Sequence, residues 1–209
     1  MSASSAKNSI LKKIRSALTQ QTPIPFPLSE SSESVFQPLQ QDIAVEFAEE
    51  FTKLEGKFSF CISEQELHQQ LNGLISNQEW TKIFCTEKFR KLLPENVVNN
   101  DISHCDASIT DCELLIGRTG SILLSSRNSG RIASVYAPVH VCIAYTSQLV
   151  YNIKDALLIL KQKYGELLPS SFTFATGPSR TADIEKTLVV GVHGPKEVYC
   201  FLVDDLQKF

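Results

Sequence analysis

Apolar positions recur along the chain in two rhythms, and the alternation between them sets the first expectation. From Gln40, residues Ile43, Phe47, Phe51 and Leu54 fall at helical spacing and predict a helix over 40–54. After Gly56 the pattern changes to short strand-like runs separated by helix-like ones. "KFSFCI" reads as a strand, and Ser63 followed by Glu66 is a capping-box signature that opens a helix through about Ser76. "WTKIFC" is the next strand, and Thr86 begins a short helix, "TEKFRKLLP", closed by Pro94. "LLIG" and "SILLSS" read as two strands around the turn "GRTG". The run "VHVCIAY", 139–145, has the continuous apolar character of a strand buried on both faces. Residues 148–163 place Ile153, Leu157 and Leu160 along one helical face, and "SFTFA" and "VYCFLV" supply late strands.

Strands alternating with helices predict an α/β domain with a mainly parallel sheet flanked by helices. The N-terminal part differs. Residues 2–19 form an amphipathic pattern expected to turn Leu11, Ile14 and Leu18 inward. "QTPIPFPLSESSESVFQPL" then combines four prolines with four serines, a linker or extended arm carrying Ile24, Phe26 and Phe36. The expected organisation is therefore a helical N-terminal extension with a Pro/Ser-rich linker over 1–56, and an α/β domain over 57–209.

Composition narrows the function classes. The 209 residues are 43% hydrophobic and 21% charged, ordinary for a globular protein with a substantial core. Twenty basic against 23 acidic residues give a net charge of −3, too balanced for a nucleic-acid footprint. No run approaches the roughly 18 apolar residues of a membrane span. The basic N-terminus lacks the apolar core of a secretory signal, so the expected location is the cytoplasm, with free thiols. Among Cys61, Cys85, Cys105, Cys112, Cys142 and Cys200 there is no C-x-x-C pair.

Four stretches carry candidate chemistry. In "GRTGS", Gly120 permits close backbone approach while Thr119 and Ser121 offer hydroxyls; "RNSGR" follows, with Arg127 and Arg131 around Gly130. Backbone N–H groups and arginine together suit a phosphate or carboxylate. The plain alternative is a hairpin followed by a capped helix with solvated arginines. In "TGPSRTADIE", Gly177 and Pro178 turn the chain, Ser179 or Thr181 can cap a helix begun by "ADIEK", and Arg180 can bind an anion or pair with Asp183. Both readings stand on the local sequence. In "VVGVHGP", His193 lies in a glycine-rich turn and could exchange a proton near neutral pH. "HCDASITDC" gathers His104, Cys105, Asp106, Asp111 and Cys112, but its spacings match no familiar metal site, and no metal is expected. P-loop, G-x-G-x-x-G, H-E-x-x-H and G-x-S-x-G motifs are absent. In α/β folds ligands sit beyond the carboxyl ends of strands, which is where these loops are expected.

Taken in order, "ITDCELLIGRTGSILLSSRNSGRIASVYAPVHVCIA" and "TFATGPSRTADIEKTLVVGVHGPKEVYCFLVDD" resemble the LUD-domain family, in the lactate utilization protein C group. The resemblance runs from about Phe58 to the C-terminus. It implies a NagB/RpiA/CoA-transferase-like fold and a role in oxidising L-lactate to pyruvate beside two partner proteins that carry iron–sulfur clusters, with no cofactor in this chain. One departure stands out: where the family usually has a glutamate two positions before the turn glycine, this chain has Arg118. Arginine is neither a base nor a nucleophile, so covalent transferase chemistry at that position is not expected. The expected site joins Thr119, Gly120, Ser121, Arg131, Gly177, Pro178, Ser179, Arg180, Thr181 and Asp183 around a small anionic ligand, with His193 as proton-transfer residue. Two alternatives remain: a noncatalytic assembly subunit for the iron–sulfur partners, or a stand-alone enzyme for a CoA- or folate-type ligand.

Overall fold

A computed structural model describes residues 3–19, 38–127, 132–184, 187–191 and 193–206, without the side chains of 3–6, 18, 181–184 and 187–189. The chain divides into two compact units, Met1–Pro38 and Leu39–Phe209. In the smaller unit, helix α1 spans Ala3–Thr19. Its apolar stripe is not turned inward as expected: Ile10, Leu11 and Ile14 are all exposed. Ile24, Phe26 and Phe36 lie outside the described residues.

The larger unit opens with helix α2, Ile43–Lys53, whose first N–H groups are bonded by the Asp42 carboxylate. Phe47 and Phe51, one turn apart, are fully buried and stack at 5.5 Å between ring centroids. Residues 40–54, grouped on sequence with the N-terminal extension, thus pack as part of the larger unit. Strand β1, Lys57–Cys61, leads to helix α3, Glu64–Asn77, where Ser63 Oγ accepts from Glu66 N at 3.2 Å. Glu66 Oε2 in turn accepts from the N–H of Ile62. Strand β2 is Ile83–Cys85. The helix expected after Thr86 is a 3-10 turn, Glu87–Leu92. Pro94 forces Leu93 into extended backbone, leaving too few residues for an α-helical ladder.

Strands β3 (Ala107–Thr110), β4 (Leu114–Ile116), β5 (Ser121–Ser125), β6 (Val139–Tyr145) and β7 (Leu149–Val150) follow. Helix α4 begins at Ile153 and ends at Tyr164; the start of the expected helix is instead the extended β7. Its inward face carries Ala156 and Leu160, while Leu157, expected to face inward, is 49% exposed. Strands β8 (Phe172–Ala175), β9 (Arg180–Ile184), β10 (Thr187–Val190) and β11 (Glu197–Val203) complete the unit.

Five strands form an all-parallel sheet in the order β1-β11-β6-β3-β2. A four-stranded sheet, β7-β4-β5-β8, is mixed: β4 runs antiparallel to β5 and parallel to β7, and β8 runs antiparallel to β5. The expected mainly parallel α/β architecture is what forms. The expected helix at "ADIEK" is not: Arg180–Ile184 is strand β9, antiparallel to β10. β-branched Thr187, Val189 and Val190 favour a partner strand, and ladder bonds replace the local caps that Ser179 or Thr181 would have made.

Three apolar clusters hold the layers. Leu67, Leu71 and Ile75 of α3 pack on Ile109, Val141, Ile143 and Phe201, on one face of the parallel sheet. The other face, through Cys142, Ala144, Val198, Cys200 and Leu202, packs on Phe47 and Phe51 of α2 and on Leu115 and Ile122 of the mixed sheet. Beyond that sheet, Ala156 and Leu160 of α4 cover Leu114, Ile116 and Leu123. Strand β6, buried on both faces, behaves as its unbroken apolar run predicts.

Candidate functional site

The candidate loops converge on the C-terminal end of α2. Gly120 closes the turn after β4 with φ +57°, and Gly177 follows β8 with φ +91°. A Cβ at Gly120 would collide with the backbone N of Phe51; one at Gly177 would lie 2.5 Å from the carbonyl oxygen of Leu54. Both glycines are therefore fixed twice, by left-handed backbone and by the close approach of the same helix end. Their role here is to let α2 in.

Hydroxyls tie the two turns together. Thr119 Oγ1 and Ser121 Oγ stand 2.7 Å apart, and Ser121 Oγ meets Thr176 Oγ1 at 2.9 Å. The third motif joins through Ser179: its N–H donates to Pro195 O, and its carbonyl accepts from Gly191 N, both at 2.9 Å. A Cβ on Gly194 would stand 2.9 Å from Ser179 Cβ. His193, next to that contact, is exposed in the turn between β10 and β11. "GRTGS", "TGPSR" and "GVHGP" thus form one continuous loop cluster.

The arginines of the cluster are engaged with protein. Arg180 Nη2 pairs with Glu55 Oε2 at 2.8 Å and lies 3.5 Å from Leu54 O. A cation beside the last carbonyls of α2 complements the helix dipole. Arg118 donates from Nε to Asn152 Oδ1 at 2.9 Å, and its backbone N–H bonds Tyr151 O. Arg118 therefore binds the segment that starts α4.

The cluster does not sit at the carboxyl ends of the parallel strands. Leu54 to Gly56 precede β1, and Gly191 to Lys196 precede β11, so the motifs gather at the amino edge of that sheet. Lys196 N bonds Pro138 O at 2.7 Å, which brings the start of β6 to the same edge. Of the expected site residues, Thr119, Gly120, Ser121, Gly177, Pro178, Ser179 and Arg180 come together. Arg131 lies outside the described residues. Thr181 and Asp183 are in β9 rather than in a helix, and their side chains lie outside the described residues.

Two buried polar groups carry no motif in the sequence: Glu113, at the end of β4 away from these loops, and His140, at the start of β6. Glu113 is 5% exposed. It accepts from Ser125 Oγ at 2.5 Å, Tyr164 Oη at 2.6 Å and Lys163 Nζ at 2.7 Å. Burial pushes its pKa up, but these donors outweigh burial and hold the carboxyl below its ordinary value. An isolated glutamate in the apolar run "CELLI" was the available signal. His140 is fully buried, with Nε2 2.8 Å from Thr110 Oγ1 and no partner at Nδ1 among the described residues. Burial lowers its pKa to about 4, so it is neutral at pH 7.

The "HCDASITDC" residues disperse. His104 pairs with Asp101 at 3.1 Å, and Asp106 accepts from the N–H groups of Thr81 and Lys82. Among the described residues, no three His, Cys, Asp or Glu side chains are placed to hold a metal ion. Burial pushes the thiols of Cys61 and Cys85 up to about 11 and about 12. No described helix is long and apolar enough to cross a membrane.

The sequence profile of the LUD domain matches residues 76–203. The chain belongs to the LUD domain family. It is 38% identical over 141 residues to the lactate utilization protein C of Bacillus licheniformis, covering 65% of this chain and 57% of that protein. To the lactate utilization protein C of Shouchella clausii it is 39% identical over 102 residues, 48% of this chain and 44% of the relative. The chain thus spans about half the length of these relatives. A crystal structure of a DUF162 family protein from Deinococcus radiodurans superposes with a TM-score of 0.59 at 20% identity, covering 77% of this chain and 96% of that one. That likeness establishes the shared fold.

Proposed function

We propose that this chain serves lactate utilization, as a cytoplasmic subunit of a system that oxidises L-lactate, or a similar 2-hydroxy acid, to pyruvate. The observation that carries the reading is the meeting of the three motifs in one loop cluster, in a chain 38% identical to a lactate utilization protein C. In this reading a small carboxylate binds beside the Thr119–Ser121–Thr176 hydroxyls and the turn at Gly177, the Ser179 N–H being already held by Pro195 O. His193, exposed at the rim, takes the proton of the substrate hydroxyl. Oxidation to the ketone releases two electrons and two protons: one proton goes to His193 and the C2 proton to water, and iron–sulfur partner proteins would supply the acceptor for the two electrons.

A second reading is favoured by a specific contact. Arg180 spends its charge on Glu55 and the end of α2, and Arg118 on the start of α4, as expected of a scaffold that presents a rigid surface to partners. One experiment separates the two. Lactate-dependent dye reduction by the reconstituted system is measured with wild-type chain and with His193→Ala, alongside co-purification of the partners. Catalysis by this chain predicts a loss of about a hundredfold or more with the complex intact, the range for removing one acid–base group being roughly 10²–10⁴. Unchanged turnover in an intact complex refutes the catalytic role and leaves assembly.

A further inference from the structure

The two edges of the parallel sheet are finished differently. At one, β2 is three residues long and covered: Ile83 bridges to Val98, and its carbonyl accepts from Asn99 N at 2.8 Å. At the other, β1 keeps continuous register with β11 over five residues, with no bulge and no proline. Cys61 turns its carbonyl inward to Asp204 N, so alternation along the strand turns the N–H and C=O of Phe58 and Phe60 outward. Among the described residues, nothing bonds those four groups. The free stretch stops at Ile62, whose N–H is taken by Glu66.

We infer that β1 pairs with β1 of a second copy of this chain, antiparallel about a two-fold axis at Ser59, joining two five-stranded sheets into one. The register is self-complementary. It sets Phe58 opposite Phe60 of the other copy and Phe60 opposite Phe58, each pair exchanging two backbone hydrogen bonds. Lys57 falls opposite Cys61, so no like charges meet. Lys57 is already held by Glu197 at 2.7 Å and Tyr199 at 2.9 Å and does not guard the edge as edge lysines do. The aromatic pairs lie on the α2 face, where Phe60 is 41% exposed and Ile62 and Leu206 stand 73% and 71% exposed beside it. Phe58 already meets Phe47 edge-on at 6.0 Å, giving the new aromatic cluster a rigid base. On the α3 face, an open groove of about 350 Å³ runs along Lys57, Ser59, Gly73 and Tyr199.

The test is the mass of the full chain by light scattering over a concentration series, for wild type, Phe60→Pro and Phe60→Lys. Proline at 60 removes an outward N–H and leaves the β1–β11 ladder bonds in place. Lysine there keeps the backbone but removes both Phe58–Phe60 ring contacts of the pairing and puts in their place an ammonium that must stay hydrated. The expected result is a wild-type mass twice that of one chain, falling twofold in both variants with circular dichroism unchanged. Should the proline variant unfold, the lysine variant decides. A wild-type chain that stays monomeric throughout overturns the inference, as does a dimer that persists in a folded variant. Slow exchange of the Phe58 and Phe60 amides in a monomer would show the edge covered from within the chain and overturn it equally.

Discussion

Alanine in place of glycine should act with opposite sign at Gly120 and Gly73. At Gly120, φ is +57° and the added methyl would meet the backbone of Phe51 and Glu50. Left-handed backbone costs a non-glycine residue about 1–2 kcal/mol. The collision is with main chain, so α2 must retreat, and Phe47 and Phe51, both fully buried, lose contact. Deleting such a ring costs about 3–5 kcal/mol, so loosening part of it costs about 1–2 more. The sum is about 2–4 kcal/mol, or a fall in Tm of roughly 4–16 °C for a domain of this size. At Gly73, inside α3, a Cβ meets nothing within 4 Å. Alanine there should raise stability by up to about 1 kcal/mol through helix propensity alone. Urea unfolding of both variants, read by far-ultraviolet circular dichroism, gives the two midpoints. A Gly120→Ala protein as stable as wild type would refute the claim that this turn glycine is there to admit α2.

Three further outcomes can be checked. Arg180→Ala removes a pair whose members are 35% and 69% exposed, so stability should fall by less than about 1 kcal/mol; if calorimetry also finds lactate affinity unchanged, Arg180 belongs to the scaffold and not to the ligand. His140 has its folded pKa depressed by burial to about 4, so the unfolded chain takes up a proton first; its contribution to stability is full above the ordinary histidine value and is lost as pH falls toward about 4. His140→Gln should therefore flatten the fall in urea midpoint between neutral pH and about 4, and an unchanged slope would count against it. Glu113, held below its ordinary value despite burial, stabilises above the usual glutamate range and loses that as acid protonates it. Glu113→Gln should destabilise at neutral pH by about 1–3 kcal/mol while reducing the loss on acidification, since Lys163 is half exposed and can turn to water.

Much of the fold could be read where the determining contacts are close in sequence. Ser63 and Glu66 mark the start of α3 within one turn, and the apolar run 139–145 declares a central strand by itself. Ser179 and Thr181 look like helix caps and so predict a helix at "ADIEK", while the partner strand that overrides them comes after Ile184. Arg180 was paired on sequence with nearby Asp183 or a ligand; its partner, Glu55, is distant along the chain and adjacent only in space. Phe47 and Phe51 announced a helix, but not that its end would be the wedge on which three loops close. The motifs identified the family because order and identity survive when geometry is unknown. Their position at the amino edge of the sheet follows from strand order, which no local pattern carries.

Strand order also sets when the domain can close. The immediate neighbour of β1 in its sheet is β11, formed by residues 197–203, and β11 in turn is what joins β1 to β6. During synthesis the first strand must wait for the last, with Phe58 and Phe60 uncovered meanwhile. Long-range parallel pairing of this kind folds slowly and leaves apolar segments open to association. A chain stopped before residue 197 would lose Val198, Cys200 and Leu202 from one core and Tyr199, Phe201 and Val203 from the other. The last strand therefore acts as the keystone of the sheet, and a nascent chain lacking it is the form most in need of a chaperone.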